Sequence, residues 1–339
     1  AYVQSIPTVQ IGTNNPKFTT LVEITSDQQE DLRQRYYRQS SEELITHLKE
    51  NDFIHHATAY RQECFIGSGK WLTPSMNLWN ITGGTMSSAA YRTALRLRLL
   101  LFPFDTIQDA QCICGKVIHF RKDPYHWNDC LKFSKLKIKR HDLANQLLEN
   151  DLKENSISTL QREPALTISL EGIENGYADK RLRADREVIV PRLRAPQSQL
   201  FDTTFRNPMS ASYLKHGFTC KDNACNIGEA EKKKKYFYTL ELQQQRLHFF
   251  VMDLSGRFDT SMNNTLRQWI SAPNTQTSKG FPPHPVDVMQ TRMATLVANC
   301  NAQFFLTGLY YMQLYAERNF VPFDEEIEII QTRNRNFNT

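Results

Sequence analysis

The chain has 339 residues, 40% of them apolar and 23% charged, with a formal net charge of +5. That balance fits a folded chain with a sizeable core and excludes a disordered polyelectrolyte. No apolar run reaches the roughly 20 residues of a membrane span, because arginines interrupt "ALRLRLLLFPF", so no membrane partner is expected. Nothing at the N-terminus reads as a signal peptide, and the missing initiator Met suggests a fragment of something longer. Cysteines at 64, 112, 114, 130, 220, 225 and 300 form an odd, irregular set, which speaks for a reducing compartment over a secreted disulfide scaffold.

In chain order, "SDQQEDLRQRYYRQSSEELITHLKENDF" is helical in composition, and residues 1–80 are expected to be a helical flank or linker. A second helix, "SSAAYRTALRLRLLLFP", begins at Ser87 or Ser88, places Leu95, Leu99 and Phe102 on one face and ends at Pro103. It opens a segment at 81–130 that also holds the cysteine cluster. From 131 the composition turns basic, and Leu143, Leu147, Leu148 and Leu152 mark "HDLANQLLENDL" as an amphipathic helix. "PALTISLEGI", "REVIVP" and "QLFDTTF" read as strands, "GEAEKKKKYFYTLELQQQR" as a helix and "LHFFVMDLSG" as a strand. The order helix, strand, strand, strand, helix, strand predicts a small α/β or α+β domain at 131–270. A linker, "APNTQTSKGFPPHP", and a helix at about 286–317 occupy 271–339.

Two features carry chemistry. Cys112, Cys114, His126 and Cys130 form two short-spaced pairs, which suit a tetrahedral structural zinc, with Gly115 permitting the tight turn and His119 as a competing ligand. Asp185 opens one β-prone run and Asp202 lies within the next. Two carboxylates at one end of a hairpin can hold the Mg²⁺ (or Mn²⁺) that phosphodiester hydrolysis needs. Thr204 occupies the place of the lysine in an "ExK" arrangement, so that lysine must come from elsewhere. Lys232 and Lys235 are spaced to leave one helix face together. Lys132, Lys135, Lys137 and Lys139 form either a solvated face or a phosphate-binding one. Lys180, Arg181, Arg183, Arg186, Arg192 and Arg194 surround Asp185, and DNA contact is expected there. Tyr125 and Trp127 suit base stacking as well as core packing.

Taken together, "CICG", "HWNDC", "RHD", "REP", "RAD", "FDTTFRNP" and "EAEKKKKY" resemble the C-terminal region of early-branching, site-specific non-LTR retrotransposon proteins. In that family a CCHC zinc element precedes a restriction-enzyme-like PD-(D/E)XK endonuclease, and the resemblance runs from about 65 to 315. It implies zinc ligands at Cys112, Cys114, His126 and Cys130. It implies Mg²⁺-holding acids at Asp185 and Asp202, catalytic lysines at Lys232 and Lys235, and a supporting acid at Glu163. Arg140, His141 and Asp142 match the family's "RHD", and Arg140 and His141 join Lys180, Arg181, Arg183 and Arg186 as expected nucleic-acid contacts. Ala184 stands where the family has proline, and sixteen residues separate the two aspartates. The implied activity is Mg²⁺-dependent nicking of duplex DNA in target-primed integration, in the nucleus. The implied partners are element RNA and the reverse-transcriptase portion of the same polyprotein. The alternatives are a zinc-containing nucleic-acid-binding module without cleavage, or a nuclease for RNA or branched DNA.

Overall fold

A computed structural model of the chain describes residues 26–51, 54, 57, 86–98, 109–119, 125–177, 181–191, 198–210, 213–214, 223–270 and 284–316. The chain divides into two units, residues 1–52 and 53–339. In the first, α1 (Ser26–Glu50) is a polar helix of 25 residues with His47 and Lys49 in its last turn, where cations suit the helix dipole. The Asn51 side chain closes it by donating to the His47 carbonyl at 2.8 Å.

The second unit opens with α2 (Ser88–Arg98). The Ser87 hydroxyl accepts the Ala90 N–H at 3.2 Å, the N-cap its sequence predicts. A hairpin of β1 (Asp109–Gln111) and β2 (Val117–His119) follows, then a short helix at His126–Asp129 and the long α3 (Ser134–Glu154). β3 (Ser158–Arg162), β4 (Arg186–Ile189), β5 (Ser198–Arg206), α4 (Asn223–Lys235) and β6 (Leu247–Asp253) come next. α5 (Thr260–Trp269) and α6 (Pro285–Ala316) complete the described chain. Among the described residues no helix is long and apolar enough to cross a membrane.

The architecture is mixed α/β around a four-stranded sheet in the order β3-β4-β5-β6. The first three strands run antiparallel, and β6 joins β5 in parallel after the α4 connection. Alternation along β5 and β6 sends neighbouring side chains to opposite faces. Phe201 and Phe250 go to a core shared with Leu147 and Leu148 of α3, Leu266 of α5 and Met293 of α6. Leu200 and Phe249 go to a smaller cluster around Tyr236, just beyond α4. α6 also joins the first cluster to a second one containing Cys112, Cys130 and Trp127. The segments at 81–130, 131–270 and 271–339 therefore pack around shared side chains.

Three expectations about elements change. The predicted strand "PALTISLEGI" forms only isolated bridges, Ala165 with Arg183 and Ile168 with Thr239, while the ladder strand is the preceding "STLQR". Pro164 cannot donate to a ladder, and Glu163 adopts a left-handed backbone with φ 50°, so the strand ends there. The predicted helix "GEAEKKKKYFYTLELQQQR" begins earlier, at Asn223, and stops at Lys235. Tyr236, just past its last turn, is 1% exposed. The helix Thr260–Trp269 was not foreseen, although its cap is visible in the sequence: Asp259 accepts the Met262 N–H at 2.8 Å.

Candidate functional site

The β4–β5 ladder begins with the pair Arg186–Phe201, so the next step sets Asp185 beside Asp202. The Asp185 N–H donates to the Phe201 carbonyl at 2.9 Å, holding the bend at the end of β4 against β5. One oxygen of Asp185, Oδ2, accepts the Thr203 N–H at 2.6 Å and faces His141 Nε2 at 3.1 Å. Asp202 is only 5% exposed at its side chain, and Lys232 Nζ donates to its Oδ2 at 2.5 Å. Lys235 Nζ donates to Tyr236 Oη at 2.8 Å, and Tyr236 Oη donates to the Arg183 carbonyl at 2.8 Å. α4 therefore delivers one lysine onto the acid pair and parks the other beside it.

The electrostatics separate the two carboxylates. Burial alone would raise Asp185, but the hydrogen bond and charge of His141, with the Thr203 N–H, hold it below the usual carboxylate range. Burial pushes Asp202 up, and the opposing Lys232 charge does not fully cancel that effect and the repulsion from Asp185. For His141, burial is outweighed by Asp185, Asp142 and Asp202, so its pKa is raised. Lys235 is lowered, first by burial. Two adjacent buried carboxylates, balanced here by an imidazole and an ammonium, have the donor chemistry of a hard divalent cation site.

Other expected site residues lie differently. Glu163 shares backbone with the pair, its N–H donating to the Asp185 carbonyl at 3.0 Å. Its carboxylate is exposed and engages Arg183 at 3.1 Å. Arg186 is drawn inward: its side chain bonds Glu149 at 3.0 Å and the Asp185 carbonyl at 2.7 Å. Arg181 and Arg183 are exposed, whereas Lys180, Arg192 and Arg194 lie outside the described residues. Arg140 is 6% exposed and faces no solvent. Its Nη1 donates to Asn128 Oδ1 at 2.8 Å and to Asn301 Oδ1 at 3.2 Å. Its guanidinium lies 4.9 Å from the Phe205 ring centroid and 5.1 Å from that of Phe304. In this setting Arg140 is a clasp inside the protein, and burial pushes its pKa down to about 10. Sequence reasoning missed Asn145, Glu149 and Tyr236. Asn145 and Glu149 follow His141 at four-residue intervals, which places all three on one stripe of α3.

The ligand atoms of Cys112, Cys114, His126 and Cys130 all lie within 4.8 Å of one another. The sulfurs of Cys112 and Cys130 are 3.9 Å apart, and Cys114 Sγ is 3.4 Å from His126 Nε2. A tetrahedral zinc with Zn–S near 2.3 Å separates its sulfurs by about 3.8 Å, so the set fits a structural zinc with no coordination place left over. Gly115, at φ +86°, makes the turn after Cys114 and donates its N–H to the Cys112 carbonyl at 2.8 Å. Burial pushes the Cys130 thiol up, and the Lys132 backbone N–H only partly offsets it, while the Lys116 N–H helps lower Cys114. The side chain of His119 lies outside the described residues. Trp127 packs on Phe305 with ring centroids 4.9 Å apart, and Tyr125 Oη donates to the Leu97 carbonyl at 3.4 Å. Both rings therefore serve the interior.

The cysteine–histidine cluster is wired to the sheet. Asn128 and Asp129 lie between its members His126 and Cys130. Asn128 holds Arg140, and Asp129 Oδ2 accepts from Asn207, the residue that follows β5, at 2.6 Å. Comparison of the whole chain with known protein families finds no match, and a search of curated proteins finds none either.

Proposed function

We propose that this chain is a Mg²⁺- or Mn²⁺-dependent endonuclease of the restriction-like PD-(D/E)XK kind, which nicks DNA by phosphodiester hydrolysis. The observation that carries the reading is the juxtaposition of Asp185 and Asp202 across two strands, with Lys232 of α4 on the second carboxylate. The order α3-β3-β4-β5-α4-β6, with β6 parallel to β5, supports it as the frame such a site needs. Asp185 and Asp202 would hold the cation, which when bound supplies Lewis-acid polarisation of the phosphoryl group. Lys232 holds Asp202 in place and opposes the upward push of burial on its pKa. Lys235, steadied by Tyr236, lies where an ammonium can neutralise charge developing on the phosphoryl oxygens. Hydrolysis breaks the bond from phosphorus to the 3′-oxygen and leaves 5′-phosphate and 3′-hydroxyl ends.

The resemblance to site-specific retrotransposon proteins supports a biological setting. The 3′-hydroxyl would prime copying of element RNA by a reverse-transcriptase portion of the same polyprotein, in the nucleus. The Cys112-Cys114-His126-Cys130 cluster serves as a structural zinc site. Nicking of supercoiled plasmid with Mg²⁺, with EDTA, and with the Asp202→Ala protein tests the reading. Metal-dependent nicking that disappears in the variant is expected. DNA binding by both proteins without cleavage by either would assign the chain to a binding module instead.

A further inference from the structure

Beyond Asp185 the paired backbone continues as a ribbon. The Leu166 N–H donates to the Leu182 carbonyl at 2.9 Å and the Ala184 N–H to the Pro164 carbonyl at 3.1 Å, with a bridge from Ala165 to Arg183 between them. Beside this ribbon lies an open cleft of about 410 Å³. Leu166, Ile168, Ile173 and Leu182 give it apolar lining, and Arg181 and Arg183 form its cationic side. The same lobe leaves large apolar side chains in water: Leu170 is 80% and Phe237 60% exposed. Arg183 precedes Asp185 by two residues, about 7 Å of extended chain, and Tyr236 Oη pins its carbonyl at 2.8 Å. The cleft is thus fixed to the acid pair by the same tyrosine that steadies Lys235.

We propose that this cleft is a subsite for one unstacked DNA base next to the scissile phosphate, a proposal that rests on the nuclease reading for its placement. The volume falls in the range of about 300–1,000 Å³ typical of small-ligand clefts, which admits a base with its sugar and excludes a duplex. Apolar side chains take the face of a base, whichever base it is, and guanidinium groups suit both stacking on it and pairing with its phosphate. Arg183 keeps one exposed carboxylate partner, Glu163 at 3.1 Å, which an incoming phosphate would displace. Arg181 is the second exposed cation of the lining. The positive side of the cleft therefore matches a nucleotide and opposes a basic peptide.

The test is binding, measured by fluorescence with 2-aminopurine DNA and Ca²⁺ in place of Mg²⁺. One short duplex carries the 2-aminopurine unpaired and the other carries it fully paired. Burying about 60 Å² of base at about 25 cal/mol per Å² corresponds to roughly tenfold tighter binding of the unpaired form. Ile173→Glu, at a side chain already 48% exposed, should abolish that preference and leave affinity for paired duplex within about twofold, whereas Arg181→Ala should abolish it while also weakening binding of the paired duplex. Equal affinity of the wild type for the two duplexes, or a preference that survives both substitutions, overturns the proposal. Cleavage by the wild type without the preference would sink the subsite and leave the nuclease standing. The preference without cleavage under Mg²⁺ would do the reverse.

Discussion

Replacing Arg140 by Met separates its role as an internal clasp from the nucleic-acid contact its sequence position suggests. Methionine keeps most of the apolar stem and removes the guanidinium. Two hydrogen bonds from a charged donor are lost, at 2.8 and 3.2 Å, each contributing about 1.5–3 kcal/mol with its buried acceptor. The two ring contacts add about 0.5–1 kcal/mol each. In the other direction, burial has moved the Arg140 pKa from 12.5 to about 10, which corresponds to about 3 kcal/mol of unfavourable charge burial that the substitution relieves. The expected net loss is about 3 kcal/mol, with the sign set by the stranded oxygens of Asn128 and Asn301. Urea unfolding of wild type and Arg140→Met, with zinc and with a chelator, measures it. Asn128 sits between two ligands, so the difference should shrink once the metal is stripped. Salt dependence of DNA binding should be unchanged. A loss below about 0.5 kcal/mol, typical of surface positions, or an identical loss with and without zinc, would refute the clasp.

His141 predicts a pH dependence in metal-free protein. Its folded pKa is raised above the ordinary value, so its contribution is fully present below about pH 6.5 and is lost as pH rises through the raised value. Unfolding midpoints should therefore fall with pH across that window in the wild type, and this component should be missing in His141→Gln; equal slopes would contradict the Asp185–His141 pairing. Gly308→Ala would drive a Cβ into the Trp127 ring. It should destabilise by about 1–3 kcal/mol and shift Trp emission as α6 moves off the cysteine–histidine cluster, which a chromatographic and fluorescence comparison would show.

The ligand spacing of the cysteine cluster and the helix–strand order were legible because both are local patterns. The acid pair was legible in part: strand assignment around Asp185 and Asp202 brings them near, whereas their side-by-side register needs the paired backbone. Arg140 was misplaced because it was assigned to nucleic-acid contact through the "RHD" resemblance and its charge. Its spacing to Ala144, Leu147, Leu148 and Asp151 puts it on the buried stripe of α3, and that periodicity was available. β3 escaped notice because "STLQR" is polar and almost wholly exposed, as an edge strand can be. The more apolar "PALTISLEGI" attracted the assignment, but Pro164 and the left-handed Glu163 cut it from the ladder. Nothing in the sequence singled out Tyr236, whose importance comes from the two elements its hydroxyl joins.

The parallel pairing of β5 with β6 also governs when the acid pair becomes enclosed. Leu200 pairs with Leu247 and Asp202 with Phe249, so more than forty residues must be threaded through the α4 connection before β5 gains its second neighbour. Loop closure of that length is slow relative to the local β4–β5 meeting. During synthesis the two aspartates would sit on a half-built sheet, open to water, until β6 emerges. The cation affinity proposed for the pair would therefore arrive late, with the final parallel strand.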